Sequence, residues 1–421
     1  MKHVHVIGAG LAGLSSALRL SGAGTKVSLH EAGPAAGGRC RSYFDKEFDR
    51  RIDNGNHLLL SGNRSTFAYI DEIGTRDQFP IPRRPRFPFI DLKTGERWVV
   101  RPNRGRIPWW ILASWRSVPD TRLSDYLGMA RITRIRDDTV VGESMRRGRL
   151  YWRLVEPLAV AALNTRPQAA LARLLGAVMR ETLLRGGKHC IPTFPRGGLS
   201  EALVDPAVAL LGKRGGEVAF NHRLTRLETQ DNRIVALWFG TEVIRLSPEE
   251  SVVLAVPPWI AGDLLPALIV PNAFEAIVNV HFLMQEDVAK GVVADTGFIG
   301  ILEGTAEWLF IKPGHVSVTI SAANALVDDP ARAIAAAVWP NVCAALEMDN
   351  PSGTELPPFR VVKEKRATFA ATAEQELRRP KSRSAFANLA LAGDWTATGL
   401  PATIEGAIRS GRVAADIILK S

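Results

Sequence analysis

The first forty residues constrain the fold more than any other part of the chain. Val4-His5-Val6-Ile7 reads as a buried strand, Gly8-Ala9-Gly10-Leu11-Ala12-Gly13 follows at once, and Leu14 to Leu20 reads as a helix. A second strand, Lys26 to His30, then closes on Glu31 and Ala32. That order is a βαβ dinucleotide-binding unit. Gly8 permits the tight turn, Gly10 lets backbone approach a pyrophosphate, and Gly13 lets helix and strand pack closely. The helix offers free N–H groups to the phosphates, and Glu31 lies where a carboxylate accepts hydrogen bonds from a ribose.

Gly37-Gly38-Arg39 makes a second glycine turn with a cation beside the same pyrophosphate. Near the other terminus, the apolar run Leu389 to Ala392 ends in Gly393-Asp394, and Pro401-Ala402-Thr403-Ile404-Glu405-Gly406-Ala407 opens a helix towards Ile418. The paired signatures resemble the amine oxidase and carotenoid (phytoene) desaturase superfamily. The resemblance implies FAD as cofactor, with Asp394 at its ribityl and phosphate end. The helix opened by Ala402, Thr403 and Ile404 would lie under the flavin, its dipole favouring the negative charge of the reduced ring. The expected fold class is α/β: a Rossmann-like FAD-binding domain with an inserted mixed α+β substrate domain and a helical membrane-facing region.

The net charge of +10 is concentrated. Between Arg76 and Arg153 stand 18 Lys or Arg against 8 Asp or Glu, a surplus that accounts for the whole excess. The same segment holds Trp98, Trp109, Trp110, Trp115 and Trp152 and the bulky run Pro108 to Arg116. Cations flanking a continuous apolar stretch suit an anionic bilayer surface. Nucleic acid is the rival partner for a basic aromatic patch, and no nucleic-acid motif accompanies it. Cys40, Cys190 and Cys343 lie far apart without metal-ligand spacing, so no metal is expected and a reducing compartment is the simplest reading. With neither a signal-peptide pattern nor an apolar run of transmembrane length, the expected location is cytoplasmic, peripheral on the inner face of the membrane.

The organisation reads as nested. Residues 1–75, 200–258 and 376–421 would form the FAD-binding domain, with Leu224 closing the segment that runs in from Glu217. Residues 76–199 would form a basic, largely helical insert, and 259–375 a substrate domain whose strand-like runs are Thr296 to Leu302, Trp308 to Ile311 and Val316 to Ile320.

Three strings are more specific than the flavin motifs: Asp53-Asn54-Gly55-Asn56-His57-Leu58-Leu59-Leu60, Glu156 to Thr165, and Ala392 to Ala407. Together they resemble the hydroxysqualene dehydroxylase family over nearly the full length. The resemblance implies reductive conversion of hydroxysqualene to squalene on the way to hopanoids. An allylic hydroxyl would be replaced by hydride from N5 of reduced flavin, supplied by an unidentified electron donor. Gly55, Asn56 and His57 would lie near the flavin. His57 leads the candidates for a catalytic polar group, ahead of Glu156, Asn164 and Glu405, although a histidine after a glycine turn also serves simply to hold flavin or backbone. Three alternatives share the fold: an oxidative carotenoid desaturase, a flavin amine oxidase, and a non-catalytic isoprenoid carrier. The four tyrosines all precede residue 153, which weighs against the aromatic cage of an amine oxidase.

Overall fold

A computed structural model describes residues 2–195, 197–284, 288–348 and 356–420. Its nucleotide-binding core is a five-stranded parallel sheet, ordered Leu389–Leu391, Ser251–Leu254, His3–Ile7, Lys26–His30, Glu217–Ala219. Three distant stretches of chain therefore supply one sheet. Helix Leu11–Gly22 packs on it with the C-terminal helix Ile404–Lys420. The contact is close because Gly411 lies against backbone: a Cβ there would sit 2.1 Å from the Ala12 carbonyl oxygen. Leu14, Leu18, Ile408, Ala414 and Ala415 fill the seam, each shielded from water.

A seven-stranded mixed sheet forms the second body, ordered Phe359–Phe369, Phe274–Leu283, His315–Ile320, Trp308–Lys312, Phe298–Leu302, Phe87–Asp91, Arg97–Val100. The three strand-like runs expected between residues 296 and 320 are present, the first beginning only after the short helix Gly291–Thr296. The basic insert is largely helical and also carries strands that the sequence did not suggest. Two of its segments, Phe87–Asp91 and Arg97–Val100, pair with each other and extend this sheet, the former running parallel to Phe298–Leu302.

Alternation along these strands gives the sheet two unlike faces. Val278, Val280, Phe282, Leu309, Val316 and Val318 point to one side and bury the helix Ala331–Leu346 through Ile334, Val338 and Val342. The opposite face is divided. Phe87, Phe89, Phe298, Trp308 and Phe310 meet the helical insert, whereas Lys312, His315, Ser317, Thr319, Asn279 and His281 make a polar strip beyond them, all buried.

Candidate functional site

The glycine loop is cross-braced by its own backbone. Gly37 N–H donates to the Ala9 carbonyl at 2.8 Å, and Gly10 and Gly37 form a parallel bridge. Gly8, Gly37 and Gly38 hold φ of 101°, 108° and 57°, a region that glycine enters at little cost. Glu31 accepts from the N–H groups of Ala9 and Gly33, each at 2.8 Å, so its carboxylate stands at the mouth of the loop beside Ala32. Among the described residues no side chain caps helix Leu11–Gly22, whose N-cap is Gly10, which leaves the N–H groups of Leu11, Ala12 and Gly13 to a ligand.

Leu224 is buried against Ile7 in the segment docked on this edge. Asn221 and His222 donate backbone N–H groups to the Gly33 and Glu31 carbonyls, and His222 meets the buried His30 at 2.9 Å between Nδ1 atoms. The two ends of the chain meet at Arg39. Its Nη2 donates to both carboxylate oxygens of Asp394, at 2.7 and 2.8 Å. Arg39 lies deep in the protein and its side chain is still 40% accessible, so it lines interior space beside the loop. Gly393, at φ 151°, turns the chain there, and a Cβ on it would strike the Trp395 indole. Thr403 Oγ1 accepts the Gly406 N–H, with Ala402 before it and Ile404 opening the C-terminal helix. Gly10, Gly38, Arg39, Asp394 and the uncapped start of helix Leu11–Gly22 therefore border one interior space. A Cβ added at Gly10 meets nothing within 4 Å. That geometry fits a pyrophosphate-linked flavin.

The loop Asp53–His57 closes this space against the polar strip. Asn56 Nδ2 donates to Ser317 Oγ at 2.7 Å and Thr319 Oγ1 at 2.9 Å, Asn279 donates to the Asn54 carbonyl, and a Cβ on Gly55 would lie 3.2 Å from Asn279 Nδ2. Asp53 forms a buried ion pair with Lys312 at 3.2 Å while accepting Ser42 Oγ and Leu199 N–H. Burial pushes the His57 imidazole down to about 4; Asp53 opposes this, and Arg39 and Lys312 add to it. At neutral pH His57 is uncharged, able to donate or accept one hydrogen bond. Burial likewise holds His281 down at about 3 and His315 at about 4.

These depressed histidines give a pH prediction. The unfolded chain takes up protons below about pH 6.5 where the folded chain does not, so the stability they contribute is complete above that pH and falls as pH drops towards about 4. The urea midpoint should decline from pH 7 to pH 5. A midpoint that rises over this interval contradicts the assignment.

Two of the expected catalytic candidates are saturated by the protein itself. Glu405 accepts from Ser65 N–H, Thr66 N–H, Thr66 Oγ1 and Arg409, capping helix Arg64–Ile73. Burial alone would raise its carboxyl, but the Thr66 and Ser65 donors hold it below the usual range. An ionised cap with four donors has no proton to give. Asn164, in left-handed conformation at φ 47°, ties together the Glu275 carbonyl, Thr368 Oγ1 and Ala322 N–H. Its amide is a strap between strands. Glu156 is half-buried and raised by burial, with Arg147 and Arg166 opposing, and belongs to a separate group. Arg166 also faces Glu275 and Glu307, the latter pushed up by burial to about 7. Sequence reading missed Lys312, Asn279, Ser317 and Thr319. The alternation of polar residues within apolar strands was the available signal.

The chain matches the flavin-containing amine oxidoreductase family along residues 11–419. It belongs to that family. It is an FAD-dependent oxidoreductase, as the paired motifs imply. Two relatives are each called hydroxysqualene dehydroxylase. One, from Rhodopseudomonas palustris, is 49% identical over 420 residues, spanning 99% of this chain and 98% of its own. The other, from Sinorhizobium fredii, is 48% identical over 419 residues, again 99% and 98%. The resemblance read from the three internal strings thus extends to the whole chain. Among solved structures, an oxidoreductase from Methanosarcina mazei superposes with a TM-score of 0.73 at 15% identity, covering 99% of this chain and 100% of that one, a likeness of fold.

Proposed function

We propose that the enzyme removes the allylic hydroxyl of hydroxysqualene reductively, giving squalene for hopanoid synthesis. The observation that carries this reading is the divided face of the seven-stranded sheet. Its aromatic part packs with the helical insert into an apolar surrounding that suits a long isoprenoid, and the face turns polar only beside the Asp53–His57 loop, where the cofactor space lies. The names of relatives near half identity support the same chemistry. Bound FAD, reduced by a separate electron donor, supplies the hydride. The chain's residues would do the rest: apolar walls hold the polyene and exclude water, His57 donates a hydrogen bond to the oxygen, and the Lys312 ammonium, held by Asp53, gives it the proton with which it leaves as water. The cation left on the allylic carbons accepts the hydride, so one C–O bond breaks and one C–H bond forms. Gly8, Gly10, Leu11, Ala12, Gly13, Glu31, Ala32, Gly38, Arg39, Gly393 and Asp394 would hold the dinucleotide. Gly55, Asn56, His57 and the helix opening at Ala402, Thr403 and Ile404 would hold the flavin, with Leu224 at the adenosine end.

The test is anaerobic. Reduced enzyme mixed with hydroxysqualene in detergent should reoxidise in step with the appearance of squalene, one for one. No squalene, with oxidised enzyme instead dehydrogenating a polyene, would establish a desaturase. Among the described residues no helix is long and apolar enough to cross a membrane. Within this reading, the enzyme works at the cytoplasmic membrane surface and takes its substrate from the bilayer through the basic insert.

A further inference from the structure

Within the basic insert, a cavity of about 360 Å³ is lined by Arg83, Arg84, Arg86, Arg101 and Arg116 with Pro82 and Pro85. Among the described residues no carboxylate lines it, and Arg86 alone is partly compensated, reaching the exposed Asp295 at 3.0 Å. Arg116 is only 6% exposed, and its Nε and Nη2 donate to the Arg101 and Pro102 carbonyls. Its guanidinium sits 4.6 Å from the Trp109 ring centroid and 4.8 Å from that of Trp115. Burial lowers its proton affinity, and the cations Arg84 and Arg101 lower it further, so the cavity holds uncompensated positive charge.

The rim is equally distinctive. Ile107, Trp109, Leu112 and Trp115 are 79%, 48%, 70% and 61% exposed, an apolar crest on the loop that carries Arg116. Trp110, expected to join them, instead packs edge-on against Tyr126 in the core. The apolar run is therefore split, with one part anchoring the loop and the other standing out from it.

We propose that this cavity binds the phosphate headgroup of an anionic phospholipid while the Ile107–Trp115 crest enters the adjoining acyl region. Charge selects the occupant's sign, and the crest selects a lipid over a soluble anion, because a free phosphate offers nothing to cover it. The inference rests on the membrane-surface reading and is independent of the reaction.

The experiment is co-sedimentation of the flavin-loaded enzyme with vesicles of phosphatidylcholine alone or mixed with phosphatidylglycerol. The wild type should prefer the anionic vesicles, less so as salt rises. Arg84→Ala with Arg101→Ala should cut that preference about fivefold for each arginine and leave the weaker binding to neutral vesicles. Trp109→Ala with Trp115→Ala should weaken binding to both. Turnover in detergent should be unchanged in the arginine variant, so loss of lipid binding and loss of the dehydroxylase reading are scored separately. An arginine variant with undiminished anionic preference overturns the proposal. So does glycerol phosphate that binds the enzyme as tightly as the anionic vesicles do, and equally well after Trp109→Ala with Trp115→Ala, since the cavity would then serve a soluble phosphate.

Discussion

Asp53→Asn should destabilise the folded protein by about 3–5 kcal/mol, the range for removing one partner of a buried ion pair. The side chains of Asp53 and Lys312 are each 6% exposed. Without the carboxylate, Lys312 keeps, among the described residues, the Pro195 carbonyl at 3.4 Å and the Phe194 ring at 5.2 Å. Neither repays the desolvation of an ammonium group. The asparagine would still accept from Ser42 and Leu199, so the loss reports charge and not shape. Adding Lys312→Met should recover at least half of the loss, because no stranded cation remains. Urea unfolding of the two single variants and the double variant measures the coupling. A single-variant loss below about 1 kcal/mol, the value of an exposed pair, would show that water reaches Lys312.

Gly13→Ala should yield protein that purifies almost free of flavin and is destabilised by about 1–3 kcal/mol or more, as overpacking against backbone does. A Cβ at residue 13 would stand 1.8 Å from the Gly8 carbonyl oxygen and 3.0 Å from its carbon. Only opening the turn that forms the phosphate cradle relieves that contact. Gly10→Ala is the informative contrast. Its Cβ meets no protein atom within 4 Å, and the backbone there is ordinary at φ −71°. That variant should melt like the wild-type apoprotein and yet lose flavin, since the new methyl occupies the dinucleotide's path. The ratio of flavin to protein absorbance and a thermal melt separate the two cases. Full flavin content in Gly10→Ala would move the dinucleotide elsewhere.

What the sequence revealed, and what it hid, follows the range of the interactions. The βαβ unit and the C-terminal strand and helix were legible because glycine spacing and apolar runs act within about thirty residues. The pairing of Phe87–Asp91 with Phe298–Leu302 was not, for a five-residue strand containing Pro88 gives a weak local signal and its partner lies 211 residues on. The candidate site divides the same way. Gly8, Gly10, Gly13 and Arg39 declare themselves by motif, whereas Asn279, Ser317 and Thr319 become neighbours of Asn56 only through the register of two strands. Glu405 misled because an acid beside a flavin motif suggests chemistry, and only the fold shows helix Arg64–Ile73 resting on it.

The Arg39–Asp394 bridge also sets a condition on how the enzyme is made. Its partners lie 355 residues apart, and strand Ser251–Leu254, the neighbour of the first strand of the nucleotide sheet, waits for Leu389–Leu391 and the helix behind it. During synthesis the N-terminal βαβ unit emerges first, with the face of helix Leu11–Gly22 that the last helix will cover still bare. Cofactor capture is therefore a late event in the life of each chain. A ribosome that stops before Gly393 releases a product that cannot build its flavin site, whatever the flavin supply, and that displays apolar surface for chaperones and proteases to find.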